Sequence, residues 1–493
     1  MPTFEPLWPS FEYKPHQISG IDWMLDREDV AESGGLLCDE MGLGKTIEIL
    51  GVIQNSIKQN TLLLCPKAVI AQWVSVAVKS KMNALQFNEK KETWDFIQPA
   101  RFFSGRPFLF ITNYEKIVRR FSLVNRVWDR VVLDEAHKIA NAKGTLYESV
   151  SKIDYKTIWC VTATPIVNTL NDMKSLFELV GYKRDELNNY SRLLEIIEES
   201  CLHRSMEEMR ALLPELPKAA KITKVRLDFE TEEEEEFYRG VQGKIMRIWK
   251  ATARDQQFVF IQLLMKLRQL SIHPQVFING MKRKYGDYER EDFEIPSTKF
   301  ISLKNKIESH MKGAKWIVFC QFHDEMNMLN EYLSESPAVW RVQQYHGGLT
   351  QKEKDEVIER SHDVIEEYGK NDILLVQLQS GGVGLNLQHF TQVVFMSPWW
   401  TSALMDQAIG RAVRIGQKEQ VEVTLFVLKE EDSLNIDEKM LEKAREKKEL
   451  LVTVFKSANK GNNFEELCSD LDSLENEIED FYSNEIEEED PVN

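Results

Sequence analysis

Short apolar runs rich in β-branched and aromatic residues recur along the chain, and each stops abruptly at a polar or glycine-bearing segment. GLLC (35–38) leads into DEMGLGKT, TLLLC (61–65) into PK, FLFIT (108–112) into NYE, RVVL (130–133) into DEAH, and TIWCV (157–161) into TATP. A second series follows: WIVFC (316–320) before QF, VQQY (342–345) before HGG, ILLVQ (373–377) before LQSGGVGLN, QVVFM (392–396) before SPWW, and VEVTLFVL (421–428). Between the two series, 168–293 carries apolar residues at a spacing near 3.6, as in DMKSLFELV and FIQLLMKLRQL, which predicts mostly helices and a hinge. Strand-then-helix alternation predicts an α/β protein with parallel sheets covered by helices. In such sheets ligands gather beyond the carboxyl ends of the strands, where the polar clusters of this chain fall.

Composition adds bounds. A chain of 493 residues with 43% apolar residues implies two or three domains with ample cores. Without a leader after Met1 or an apolar stretch of membrane-spanning length, it reads as a soluble intracellular protein. Six scattered cysteines without a C-x-x-C pair argue against a zinc site or a disulfide framework. The net charge of −17 is concentrated: 464–493 hold 13 acidic residues and no Lys or Arg, which leaves −4 on the remainder and room for a local basic groove. The tail itself reads as a disordered solvating extension, with a DNA mimic as the sharper alternative. Thr231 before five glutamates reads as a helix start. Met281 to Gly286 reads as a basic loop.

Two clusters carry chemistry. In CDEMGLGKT, Gly42 and Gly44 let successive N–H groups face an anion, Lys45 meets the outer phosphates, and the Thr46 hydroxyl can hold Mg2+. Asp39 stands where the strict phosphate-loop pattern has glycine. In DEAH, Asp134 would hold the metal and Glu135 would orient and deprotonate the attacking water. Far downstream, DQAIGRAVRIGQ (406–417) puts Arg411 and Arg414 three apart on one expected helical face, suited to neutralising a γ-phosphate. ATP bound between two domains would couple hydrolysis to their movement.

The motifs, in order, are KPHQ (14–17), DEMGLGKT, LLLCP with Trp73, TNYE, DEAH, TATPIVN (162–168), HGG (346–348), QSGGVGLNL and DQAIGRAVRIGQ. Together they resemble a Swi/Snf-family ATPase of helicase superfamily two, over about Tyr13 to Val427. LHRSMEEM with LPELPK (202–218) and LRQLSIHP (267–274) resemble that family's helical protrusions. The resemblance also accounts for Asp39, because the family commonly writes its loop as DEMGLGKT. It implies two RecA-like lobes: 1–225 with the first protrusion, 226–300 as second protrusion and hinge, 301–460 as the second lobe, and 461–493 as an acidic tail. Gln17 would read adenine, Thr162 and Thr164 would link hydrolysis to movement, and Gly384 would approach the nucleotide. Arg411 and Arg414 match the arginine fingers. DNA contacts are implied near Lys67, Asn113, Tyr114, Gln321, Phe322, His346, Ser380, Gly381 and Gly382.

What the resemblance implies is a monomeric, ATP- and Mg2+-dependent translocase on double-stranded DNA. It would displace or remodel bound proteins such as nucleosomes without separating strands, in the nucleus if the host is eukaryotic. A strand-separating or annealing helicase on forked DNA or RNA is the alternative, and a nucleotide-binding scaffold without turnover is a third reading. The chain departs from the family at Ser397, where an acid usually precedes P-x-W-N-P, at Ala140, where lysine is common, and after HGG, where an arginine has no clear equivalent.

Overall fold

A computed structural model describes residues 4–460 apart from 89, 98–101, 122–123, 215, 252–256, 311–312, 366, 382–384, 386, 415 and 430–434. The chain divides into two compact units. Among the described residues, the first comprises 4–214 and 447–460, and the second 216–446.

The first unit is built on one sheet. Its strands are β1 (Gly34–Leu37), β2 (Asn60–Cys65), β3 (Asn83–Asn88), β4 (Thr93–Phe96), β5 (Phe108–Asn113), β6 (Arg130–Asp134), β7 (Ile158–Val161) and β8 (Cys201–Leu202). Their spatial order is β4-β3-β5-β2-β6-β7-β1-β8. β4 pairs antiparallel with β3 and the other pairings are parallel. The central strands are buried along nearly their whole length, which is why they read as continuous apolar runs rather than as alternation. Helix α1 (Pro15–Arg27) precedes the sheet and α2 (Lys45–Asn55) follows β1. Helix Leu170–Val180 starts at Thr169, whose capping box with Asp172 satisfies exposed N–H groups of the first turn.

The second unit carries β9 (Lys221–Leu227), β10 (Lys315–Cys320), β11 (Val339–Tyr345), β12 (Asn371–Gln377), β13 (Gln392–Phe395) and β14 (Glu422–Leu428), in the order β11-β12-β10-β13-β14-β9. The pairings are parallel throughout. One face packs Phe319, Phe395, Leu425 and Ala412; the other packs Trp316, Val318, Phe300 and Leu329. The helices Glu232–Ala251, Gln257–Ile272 and Pro274–Lys284 share a separate apolar cluster around Phe237, Leu267 and Phe277.

The ten strands expected from the apolar runs are all present. Among the described residues four other strands are not announced by such runs: β3, β4, β8 and β9. β9 falls inside the stretch expected to be mostly helical and adds an edge to the second sheet, so the expected lobe boundary at residue 225 lies within a strand. The basic stretch 281–286 is a correction: Lys282, Arg283 and Lys284 form the last turn of a helix, where cations suit the negative end of the dipole. Arg283 and Lys282 are there paired with Asp324 and Asp292. Thr231 does open the helix after it, its hydroxyl accepting from Glu234 N–H at 3.3 Å. Cys38, Cys65, Cys160 and Cys320 are buried free thiols.

Candidate active site

The carboxyl edge of the first sheet collects the predicted residues. Leu37 and Asp134 are both in register with Val161, from its two sides. The phosphate-loop sequence therefore emerges two strands from the carboxylate pair. Gly42 and Gly44 have φ of 92° and 95°, a region that side-chain-bearing residues avoid. At Gly44 a Cβ would also lie 2.5 Å from Gln17 Nε2, so a side chain there would displace the Gln17 amide. Gln17 is buried on α1 and donates to Leu43 O at 3.3 Å, while His16 Nε2 lies 2.8 Å from the same carbonyl. Lys45 and Thr46 open α2, with the Lys45 ammonium donating to Asp39 O at 2.6 Å. A helix N-terminus preceded by a glycine turn presents N–H groups to an anion.

Asp39, expected as a family variant of the glycine position, is buried and ion-paired. Arg204, on the segment after β8, bonds the Asp39 carboxylate, the Glu48 carboxylate and the His16 carbonyl. Burial and the neighbouring Asp39 push the Glu48 carboxyl up to about 8, against the pull of Arg204.

Asp134 ends β6. Its Oδ2 accepts from Trp73 Nε1 at 2.6 Å and its Oδ1 from Glu135 N–H at 3.0 Å, while Tyr114 Oη donates to its carbonyl at 2.8 Å. Burial, reinforced by Glu135, raises the Asp134 carboxyl to about 6. Glu135 adopts φ 53° and ψ 49°, an uncommon conformation for a residue with a side chain, which costs on the order of 1–3 kcal/mol and tends to mark functional sites. Its Oε2 lies 3.3 Å from His137 Nδ1, and that nitrogen is 3.1 Å from Thr162 Oγ1. Thr164 N–H donates to the same hydroxyl at 3.1 Å. A chain of polar contacts thus links Glu135 to the TATP segment after β7. Trp73, Tyr114 and His137 support the site in ways their motifs do not announce.

Tyr114 is a correction. Expected at a DNA surface, it is 1% exposed and its hydroxyl is committed beneath Asp134. Asn113 beside it is also buried and donates to Glu115 Oε2 at 2.5 Å. Lys67, in contrast, is exposed in the turn after β2.

In the second unit the carboxyl edge brings together Gln321, His346 and Ser380. Gln377 Oε1 accepts from Gly347 N–H at 3.2 Å and Ser380 Oγ at 3.0 Å, tying the ends of β11 and β12. The His346 ring meets His323 edge-on at 4.7 Å. Gln321 accepts from Arg268, which lies over the rings of Trp399 and Trp400 at 4.2 and 4.7 Å. Phe322 caps the helix His323–Ser334, and Gly381 ends a short helix after β12. Gly382 and Gly384 lie outside the described residues. Arg411 is buried in the helix Ser402–Ala412, its carbonyl accepting from Leu387 N–H at 3.1 Å. Arg414 does not share a helical face with it, because the helix ends at Ala412 and Val413 leaves helical geometry. The Gln417 side chain then donates to Gln388 O at 2.7 Å and holds the turn. Burial lowers the Arg414 guanidinium below its ordinary value.

Comparison with known proteins bears on both units. The family model described as SNF2-related domain matches residues 16–276, and that described as helicase conserved C-terminal domain matches 298–416. The chain is 24% identical to Protein CHROMATIN REMODELING 5 of Arabidopsis thaliana over 92% of its length, but spans only 28% of that protein. It is 26% identical to the probable global transactivator of Orgyia pseudotsugata multicapsid polyhedrosis virus, over 85% of this chain and 87% of that one. Among solved structures, the Sulfolobus solfataricus SWI2/SNF2 ATPase core in complex with dsDNA matches with a TM-score of 0.40 at 23% identity, covering 91% of this chain and 97% of that one.

Proposed function

Because this chain belongs to the SNF2-related domain family, we propose that it hydrolyses ATP to move along double-stranded DNA and to displace or remodel the proteins bound there, without separating the strands. The observation that carries the hydrolytic part is the convergence of Lys45, Thr46, Asp134 and Glu135 on one sheet edge, each held by its own hydrogen bonds or helix position. The DNA part is supported by the named relatives and by the second family match over residues 298–416.

In this reading the α2 N-terminus and Lys45 hold the phosphates and Gln17 faces the adenine. Glu135 orients the attacking water and takes its proton, its carboxylate becoming neutral as the water oxygen bonds to phosphorus, and His137 Nδ1 at 3.3 Å helps to hold the Glu135 side chain in place. Thr46 and Asp134 are the residues that would hold Mg2+, which neutralises phosphate charge when bound. Arg411 and Arg414 stabilise the charge that develops on the transferred group, a role worth about 10³ to 10⁵ in rate. Lys67, Gln321, His346 and Ser380 grip backbone phosphates, which position a tracking protein but carry no sequence information.

The test is ATP turnover in the presence of duplex DNA, single-stranded DNA or RNA, each at several salt concentrations. Duplex DNA should stimulate most, and the stimulation should fall steeply with salt as ions compete for phosphate. Greatest stimulation by single strands or RNA would favour the strand-separating or annealing helicase instead. Turnover that survives both Lys45→Ala and Glu135→Gln would remove the hydrolytic assignment.

A further inference from the structure

The conformation of the phosphate loop is set by more than its own sequence. Cys38 N–H donates to Leu202 O at 2.7 Å and Glu40 N–H to Arg204 O at 3.0 Å, so the backbone after β8 runs as a rail beside the start of the loop. Met206 N–H donates to Glu40 Oε2 at 2.7 Å and extends that rail. From it the Arg204 guanidinium reaches across three pieces of chain: the loop at Asp39, helix α2 at Glu48, and helix α1 at the His16 carbonyl. Both carboxylates are fully buried and the arginine side chain is 12% exposed. On the far side, Gly20 of α1 leaves the room: a Cβ there would lie 2.0 Å from Glu48 Oε1 and 3.0 Å from Arg204 Nη2.

We propose that Arg204 is a positioning residue for nucleotide binding, clamping the phosphate loop, α2 and the adenine-side helix α1 into one preformed cradle. The inference rests on the nucleotide reading above. Arg204 bonds one residue before Gln17 and three residues after Lys45 along the chain, so it orders both ends of the nucleotide site without touching the reacting atoms. Only a planar fork with several donors can serve two carboxylates and a carbonyl at once; an ammonium on a flexible stem cannot hold the same geometry. A preformed cradle lowers the ordering cost of binding, and it favours the bound ground state and the transition state alike. The signature is therefore a change in KM with kcat preserved.

The experiment compares ATP turnover and equilibrium binding of a fluorescent ATP analogue in the full chain and in Arg204→Lys, Arg204→Gln and Arg204→Gln/Glu48→Gln. Arg204→Gln should raise KM and Kd roughly ten- to hundredfold, the size of one lost charge-assisted hydrogen bond, with kcat nearly unchanged. Arg204→Lys, which keeps a cation and so guards against misfolding, should show a smaller rise in the same direction. The double variant, which removes one of the two buried acids left without the guanidinium, should bind better than Arg204→Gln alone. Lowered melting temperature with unchanged KM and Kd in the variants overturns the proposal and leaves Arg204 a purely structural residue. A wild-type chain that neither binds nor hydrolyses ATP would overturn the nucleotide reading itself, a distinguishable result.

Discussion

Trp73 donates its indole N–H to Asp134 Oδ2 over 2.6 Å, joining residues 61 positions apart. The indole comes from the helix Ile70–Lys79 that follows β2, and the carboxylate from the end of neighbouring β6. Strand order, not sequence proximity, makes the contact. The bond fixes which way the carboxylate faces and leaves its remaining lone pairs for a cation.

Trp73→Phe keeps most of the buried ring and removes only this donor. Partners that orient a metal-binding group typically cost 10- to 100-fold in metal affinity or activity when lost. The Mg2+ concentration for half-maximal ATP turnover should accordingly rise about tenfold, with a modest fall in melting temperature. A Mg2+ titration checks this, and an unchanged midpoint would leave Trp73 as packing alone.

Glu325 provides a pH-dependent test in the second unit. It is fully buried, and its Oε2 accepts from Gln321 N–H at 2.7 Å and Phe322 N–H at 3.1 Å, fixing the end of β10. Burial raises its carboxyl from 4.5 to about 7, against the pull of those two N–H groups. The folded unit thus keeps a proton that the unfolded chain releases near 4.5, so its stability falls as pH rises between these values and levels off above about 7. The effect is of order 3 kcal/mol. Hydrogen exchange of peptides from β10 and the following helix should show faster opening at pH 8 than at pH 5. In Glu325→Gln that difference should largely vanish; if the variant keeps the full pH dependence, another group is responsible.

The legibility of this chain followed burial. β1, β2, β6 and β7 lie in the sheet interior, so their apolar runs stood out and pointed to Asp39–Thr46, Asp134–Glu135 and Thr162–Thr164 at their ends. β9 did not stand out because it is an edge strand whose Lys221, Ile222, Thr223 and Lys224 are exposed, so no apolar pattern marks it. The end of the helix carrying Arg411 was illegible because it depends on Gln417 reaching back to carbonyls of another segment. Arg204 sat in a recognised stretch without a role, since its partners Asp39 and Glu48 lie 165 and 156 positions away and only the docking of β8 on β1 brings them together. Contacts of this kind follow from strand order, which no local pattern encodes.

That dependence on topology is testable at Ser397, where this chain lacks the acid usual in its family. Ser397 Oγ donates to Asp437 Oδ1 at 3.1 Å, and Ser271 Oγ donates to the same atom at 2.9 Å. Asp437 Oδ2 accepts from Lys299 Nζ at 2.6 Å and from Leu428 N–H at 3.1 Å. A carboxylate from 40 positions downstream therefore stands beside Ser397 and neutralises a fully buried lysine. Removing one partner of such a pair costs about 3–5 kcal/mol, because the other charge is left buried and uncompensated. Asp437→Ser and Lys299→Met should each lower the second unit's stability by about that amount in denaturant unfolding. Ser397→Asp alone should also destabilise, by setting a second acid against Asp437. If the node needs one carboxylate rather than a particular residue, Ser397→Asp/Asp437→Ser should recover a substantial part of the loss seen in either single variant. A double variant no more stable than the worse single one would mean that the carboxylate must come from the helix bearing Asp437.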